Sequence, residues 1–230
     1  MQKAQLAQLQ SDIAARRPVA VVVTLATGAQ QLVQPGDPMP DDLAVALAEA
    51  VRNDRSGVVQ TAAGEVFINI HNPALRMVMI GAVHISQALI PMARQAGYDI
   101  TVIDPRTAFA SGERFAGVTL DARWPDEALP PLALDRRTAF VALTHDPKID
   151  DPALKLAVAS ECFYIGALGS SRTHAKRRER LTAAGIAPAA FDRIRAPIGL
   201  DIGAIGAPEI AVSIIAEITS ALRGKDGKRP

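Results

Sequence analysis

The chain has 230 residues, 49% of them apolar, and its 25 Lys and Arg against 24 Asp and Glu leave a formal net charge of +1. That balance gives no reason to expect nucleic acid or an anionic membrane as the main partner, and no apolar stretch approaches the roughly 18 residues of a membrane span. A single cysteine excludes an internal disulfide and any metal site built from cysteines.

The N-terminal MQKAQLAQLQSDIAARR has no signal-peptide pattern, so a cytoplasmic protein is expected. A helix over Ala4–Ala15 precedes an apolar strand, Val19–Leu25. Gly28 suits a turn into Gln31–Val33, and PGDPMP (35–40) reads as an irregular, proline-rich connection. Asp41 or Asp42 is placed to cap a helix running to Arg52. Gly57–Gln60 and Glu65–Ile70 read as the arms of a hairpin. Strands and helices without regular alternation predict a small α+β N-terminal domain, residues 1–72, whose edge strands leave a homodimer open. His71-Asn72-Pro73 reads as a linker, since the residue before proline resists helix.

From Arg76 onward strand and helix alternate, which predicts an α/β, Rossmann-like, doubly wound and mainly parallel sheet over residues 73–222. Strand candidates are Met77–Ile80, Ile100–Ile103, Val118–Leu120, Ala139–Leu143, Cys162–Ile165 and a short one near Ala196–Ile198. Helices are expected over Pro152–Ser160, Thr173–Ala184 and Pro208–Leu222, and residues 223–230 read as a disordered tail.

The most informative stretch is Met77–Arg106. An apolar run enters Gly81, then Ile85, Leu89, Met92, Ala93 and Ala96 share one helical face. Gly97 stops that helix, and a β-branched run ends at Asp104. This βαβ plan holds a dinucleotide, with pyrophosphate at the helix N-terminus and a carboxylate on a ribose. The interval from Gly81 to Asp104 is close to the roughly 20 residues expected. The G-x-G-x-x-G fingerprint is incomplete, because its second and third positions are Val83 and Ser86. Two readings stand: a nucleotide-containing ligand in a modified site, or an architecture kept without the ligand.

Ligands of such sheets bind at the carboxyl ends of the strands. Gly81–His84 is the first loop there, and His84 is a donor to a phosphate or a plain capping residue. In the second, Asp104 suits a ribose hydroxyl and Arg106 suits a phosphate or Asp104 itself. In the third, Thr144-His145-Asp146, the His and Asp suit acid–base work, ligand donation or metal binding, cooperating only if the chain turns between them. Equally, Asp146 suits a cap of the next helix region and His145 a bond to a backbone carbonyl. The fourth, Gly166 to Arg172, places two glycines and Ser170 ahead of a helix, where backbone N–H groups and Arg172 can cradle an oxyanion. Lys176-Arg177-Arg178 then reads as a solvated helix face. Asp201, among the glycines of PIGLDIGAIG, is either a wall of the same pocket or a turn carboxylate. Cys162, at the start of an apolar strand, reads as a small buried thiol.

In order, IGAVHISQALIPMARQAGYDITVIDPRTAF, LTHDPKIDDPAL, FYIGALGSSRTHAKRRERL and APIGLDIGAIGAPEIAVSIIAEI resemble the XdhC/CoxI family over roughly residues 73–222. The N-terminal part resembles a shortened, diverged form of that family's first domain and lacks its cysteine-bearing motif. The resemblance implies a non-catalytic maturation factor. Such a protein binds molybdenum cofactor (molybdopterin or its dinucleotide form) and hands it to a molybdenum hydroxylase apoenzyme, such as xanthine or carbon monoxide dehydrogenase. A sulfurtransferase or a second XdhC-family protein is the implied helper. Gly81, Val83, His84, Asp104, Arg106, Thr144, His145, Gly166, Gly169, Ser170, Arg172 and Asp201 are then the expected cofactor-binding set. Two other readings stay open: an NAD(P)-dependent oxidoreductase with His145 as proton donor, and a partner-binding scaffold.

Overall fold

The computed structural model describes residues 2–108 and 114–224; most of the expected tail lies outside them. Contacts divide the chain into two units, the first ending at Pro73 and the second beginning at Ala74.

In the first unit α1 (Lys3–Ala14) is followed by β1 (Val19–Thr24), β2 (Gln30–Val33), α2 (Asp41–Asn53), β3 (Gly57–Thr61) and β4 (Gly64–His71). The strands form an antiparallel sheet in the order β2-β1-β4-β3. Because side chains alternate along a strand, β1 serves two layers. Ala20 and Val22 pack with Leu43 and Leu47 of α2, while Val19 and Val21 pack with Leu9 of α1. The helix cap differs from expectation. Pro40 holds the capping position of α2, and Asp42 instead accepts the Ala62 N–H at 2.6 Å, tying the β3–β4 turn to the helix.

The second unit runs β5 (Leu75–Ile80), α3 (His84–Gln95), β6 (Tyr98–Ile103), β7 (Thr119–Asp121), α4 (Pro125–Ala128), β8 (Thr138–Ala142), α5 (Pro147–Ala159), β9 (Tyr164–Ala167), α6 (Ser171–Ala183), α7 (Pro188–Phe191), β10 (Ile194–Arg195) and α8 (Ala207–Leu222). All its strand pairs are parallel, in the order β10-β9-β8-β5-β6-β7. This is the doubly wound order, with the direction of winding reversing between β5 and β8. Met77 and Met79 face a layer made by α3 and α8 (Leu89, Ala93, Ile214, Ile218). Val78 and Ile80 face α5 and its neighbours (Ile149, Ala153, Leu154, Leu181, Phe191). A strand covered on both faces reads as a continuous apolar run, which is why MVMI carries no alternation.

Several boundaries move relative to expectation: β9 spans Tyr164–Ala167 where Cys162–Ile165 is expected, and α6 begins at Ser171 rather than Thr173. α5 begins at Pro147, not Pro152, because Asp146 accepts the Lys148 N–H at 2.9 Å and Pro147 occupies the first turn, where its missing N–H is harmless. Pro152 is carried inside the helix. The last strand is Ile194–Arg195, ahead of the expected Ala196–Ile198, since Pro197 has no N–H to continue a ladder.

Candidate functional site

The carboxyl ends of β5 and β8 adjoin, and the loops leaving them meet at one point. Gly81 has φ +112°, and a Cβ built there would lie 2.8 Å from Thr144 Cγ2 and 3.3 Å from Thr144 N. Only glycine lets the β5–α3 turn pass this close to the β8 loop. Ser86, in the third fingerprint position, is buried and donates from Oγ to the Gly81 carbonyl at 2.5 Å. Val83 is the capping residue of α3, with no side-chain cap hydrogen bond. The first helical bond is Gln87 N–H to the Val83 carbonyl. The N–H groups of His84, Ile85 and Ser86 therefore form the uncapped, positive end of α3 at the switch point. The helices after β8 and β9 differ, because Asp146 and Ser170 cap α5 and α6 with their own side chains.

Asp104, at the end of β6, is fully buried, and its carboxylate is used inside the chain. Oδ2 accepts from Ala82 N (2.8 Å) and Arg106 Nη2 (2.8 Å), and Oδ1 from Arg106 N and Nε (both 2.9 Å). Burial pushes this carboxyl up, but the Arg106 side chain, the two backbone N–H groups and the Arg106 charge together bring it below the usual range. The acid that the βαβ plan places on a ribose thus staples the Gly81–Ala82 turn. Across the switch point Arg106 lies in electrostatic reach of Asp146 and Asp150.

His145 adopts a left-handed φ of 63°, so the chain does turn there. The turn separates the two residues' work: Asp146 caps α5, and His145 is exposed and lines a cavity of about 250 Å³ between the first turns of α5 and α6. Asp150, Arg172, Thr173, Lys176 and Arg177 line the same space. Thr144 Oγ1 donates to Asp150 Oδ1 at 2.7 Å, joining this cavity to the Gly81 turn. Burial raises the Asp150 carboxyl, against the opposing effects of Thr144 and Arg177.

Gly166 is a strand residue of β9, not a loop residue. A Cβ there would lie 2.5 Å from Ile198 Cδ1 and 2.7 Å from the Tyr164 hydroxyl, so packing accounts for it. Gly169 (φ +129°) makes room for Thr173, whose N–H bonds Ser170 Oγ. The structure therefore gathers Gly81, Val83, His84, Asp104, Arg106 and Thr144 around the switch point, and His145 with Arg172 around the cavity. Asp201 is exposed on the loop before α8 and makes no hydrogen bond or ion pair among the described residues.

Two residues escaped the sequence reading. Arg177 is 2% exposed, so the basic run Lys176–Arg178 is not wholly a solvated face. The Thr173, Arg177, Leu181 spacing puts it on the inward face of α6, which was the available signal. Glu217 of α8, also buried, accepts from the Tyr164 hydroxyl (2.5 Å) and from Gly199 N (2.8 Å), holding the loop after β10. Cys162 is buried, and burial pushes its thiol up.

The family profile of the XdhC Rossmann domain matches residues 77–218, which run from β5 into α8 and contain the switch-point and cavity loops. The chain belongs to the XdhC family. Among relatives of the XdhC chain, YqeB of Escherichia coli K12 is 31% identical over 78% of this chain and 32% of its own length. PaoD of the same bacterium, named a molybdenum cofactor insertion chaperone, is 32% identical over 64% of this chain and 40% of its own. A protein of Bacillus subtilis, named as one of the probable subunits of xanthine dehydrogenase, is 32% identical over 66% of this chain and 44% of its own. The chain thus spans less than half the length of these curated relatives. A Bacillus halodurans crystal structure described as a xanthine dehydrogenase shares the fold (TM-score 0.68, 22% identity), covering 96% of this chain and 67% of that one. No helix among the described residues is long and apolar enough to cross a membrane.

Proposed function

We propose that this chain assists maturation of a molybdenum hydroxylase, of the xanthine dehydrogenase or carbon monoxide dehydrogenase type, by holding molybdenum cofactor for insertion into the apoenzyme. The observation that carries the reading is the uncapped N-terminus of α3 at the switch point, beside a glycine turn that no other residue fits. Backbone N–H groups at a helix start favour an anion, and this one lies where a doubly wound sheet takes its ligand. The name of PaoD, a 32% identical relative, supports the choice of ligand.

The residues present fit a phosphate-bearing form of the cofactor. His84, Ile85 and Ser86 would hold the phosphate through their N–H groups, with Val83 on the approach side and Thr144 and His145 as the opposite wall. Ala82 contributes nothing directly, since its N–H is given to Asp104. Asp104 and Arg106 would set the shape of the turn, and Gly169, Ser170 and Arg172 would bound the far side. Gly166 would act through packing and Asp201 through the exposed loop. When bound, the cofactor supplies the redox centre of the client enzyme; this chain binds, orients and releases it without turnover. A sulfurtransferase or a second XdhC-family protein would act beside it.

The alternative, an NAD(P)-dependent oxidoreductase, needs Asp104 on a ribose. The four internal hydrogen bonds to that carboxylate weigh against it. The test is purification from a host that makes molybdopterin dinucleotide, with co-purifying pterin measured by oxidation and fluorescence alongside NAD(P)H binding. Stoichiometric pterin without NAD(P)H binding is expected. NAD(P)H binding without pterin would transfer the assignment to the oxidoreductase, and neither would leave a scaffold.

A further inference from the structure

The cavity between α5 and α6 has features that the switch-point site does not use. Arg177 is almost wholly buried, and of its three side-chain nitrogens only Nη2 has a partner, the Leu168 carbonyl at 2.8 Å. Nε and Nη1 are buried without one, and so is Asp150 Oδ2 across the same space. Arg177 and Asp150 feel each other's charge, yet no hydrogen bond or ion pair joins them. A guanidinium stripped of water and left with open donors is costly unless something in the cavity meets them.

The charges around the space tell what that is. Arg180 is satisfied by Asp151, with Nε–Oδ2 at 2.6 Å and Nη2–Oδ1 at 3.0 Å. The other cations of the lining are Arg172, Lys176 and Arg177, against the one remaining carboxylate, Asp150. The lining therefore carries an excess of two positive charges. Arg177 approaches from the floor, whereas Arg172 and Lys176 are exposed on the first turns of α6. A tetrahedral dianion has acceptor oxygens for donors arriving from several directions, which a planar carboxylate lacks. About 250 Å³ is room for several waters, at about 30 Å³ each, and so for a phosphate with a short attached group.

We propose that this cavity is a binding site for a phosphate group, free or as a monoester, with Arg177 as its buried anchor, Arg172 and Lys176 as outer cations, and Asp150 Oδ2 as acceptor for a hydroxyl of the ligand or a bridging water. The site shares His145 and Arg172 with the margin of the cofactor-carrier reading but needs none of its residues at the α3 N-terminus. A pterin cofactor's phosphate is one source of the ligand, and a free phosphate is another.

The test is calorimetric titration of the full chain, at low salt, with inorganic phosphate and with glycerol 3-phosphate. Wild type and Arg178→Gln are expected to bind alike, because Arg178 pairs with Asp192 (2.6 Å), the residue after α7, and is not in the cavity lining. Arg172→Gln/Lys176→Gln, both exposed positions, is expected to lose at least about tenfold in affinity, as for one charge-assisted hydrogen bond. Arg177→Met is expected to abolish binding; if it fails to fold, the exposed double variant decides alone. Tighter binding of the ester assigns an ester, and equal binding assigns free phosphate. No binding of either probe by wild type, or equal affinity in the double variant, overturns the site. Pterin content measured on Arg177→Met and on Lys176→Gln alone, at residues the carrier reading does not use, separates the two ideas. Loss of phosphate with pterin retained leaves the carrier reading standing, and absence of pterin with phosphate binding intact counts against that reading alone.

Discussion

Gly81→Ala isolates the close approach on which the switch point depends. The new Cβ would meet Thr144 Cγ2 at 2.8 Å, well inside the 3.5–4.0 Å at which carbon atoms attract. Overpacking of this kind costs about 1–3 kcal/mol. The φ of +112° adds about 1–3 kcal/mol for a residue with a side chain. Together these predict a loss of about 2–6 kcal/mol, a large share of the roughly 5–15 kcal/mol that a domain has. The two contributions separate in a double-mutant cycle. Thr144→Ser removes Cγ2 but keeps Oγ for Asp150 and for the Asp146 N–H (3.0 Å). It should relieve the contact and leave the backbone cost, so the pair should couple by about 1–2 kcal/mol. Urea denaturation followed by fluorescence of Trp124, the single tryptophan, reports on the second unit. A coupling indistinguishable from zero, or a Gly81→Ala loss within about 0.5 kcal/mol, would refute the argument that glycine is required for contact with Thr144.

Asp104→Ala should cost about 3 kcal/mol at neutral pH, the low end for a broken buried pair because Arg106 is partly exposed. The carboxyl is held below its ordinary value in the fold, so its stabilisation is present above the unfolded value of about 3.9 and is lost as pH falls through the folded one. Denaturation midpoints of wild type and variant should therefore converge below about pH 4, and a constant gap would refute the pairing. Tyr164→Phe should cost about 1 kcal/mol, and Glu217→Ala clearly more, since it strands both the phenol and the Gly199 N–H. Equal losses in thermal melts would mean that Glu217 does not hold that loop. Burial pushes the Tyr98 phenol to about 12 and, with Glu217 beside it, the Tyr164 phenol well above its ordinary value. The native chain, which has only these two tyrosines, should show no phenolate absorbance step near pH 10. A step of one phenol there, without unfolding, would contradict the burial.

The sheet was legible because its signals are local. The central strands of the second unit, β5 and β8, are short apolar runs, and the loops that follow them carry a glycine or a capping residue within a few positions. MVMI was legible as a strand candidate, and its lack of alternation fits burial on both faces. Asp104 was found by spacing, but its task was hidden. Whether a carboxylate meets a ligand or its own chain depends on Arg106 folding back two residues and on the Ala82 N–H arriving from another loop. Arg177 was obscured by its neighbours: Lys176 and Arg178 on either side are exposed, and a run of three cations reads as one surface. Only the helical spacing from Thr173 through Arg177 to Leu181 distinguishes the buried one. Asp150 fell in a stretch read as loop, because Pro152 resembled a helix start more than Pro147 did.

The departures of the glycine fingerprint make sense together. With a second glycine, the turn would open its backbone to a pyrophosphate. Here Val83 narrows that approach, while Ser86 binds the Gly81 carbonyl and Asp104 takes the Ala82 N–H, so the turn is fixed by its own chain. What remains for a ligand is the start of α3 itself, through His84, Ile85 and Ser86. On the proposed reading such a site would take a phosphate without reading a ribose, which suits a ligand other than NAD. The charge needed for a second anionic group lies further along the sheet edge, at Arg172, Lys176 and Arg177. Thr144 lies between the two, its methyl filling the space that a Cβ on residue 81 would need and its hydroxyl donating to Asp150. If both places serve one ligand, Thr144→Val should disturb both at once. Loss at only one of them would mean two separate sites.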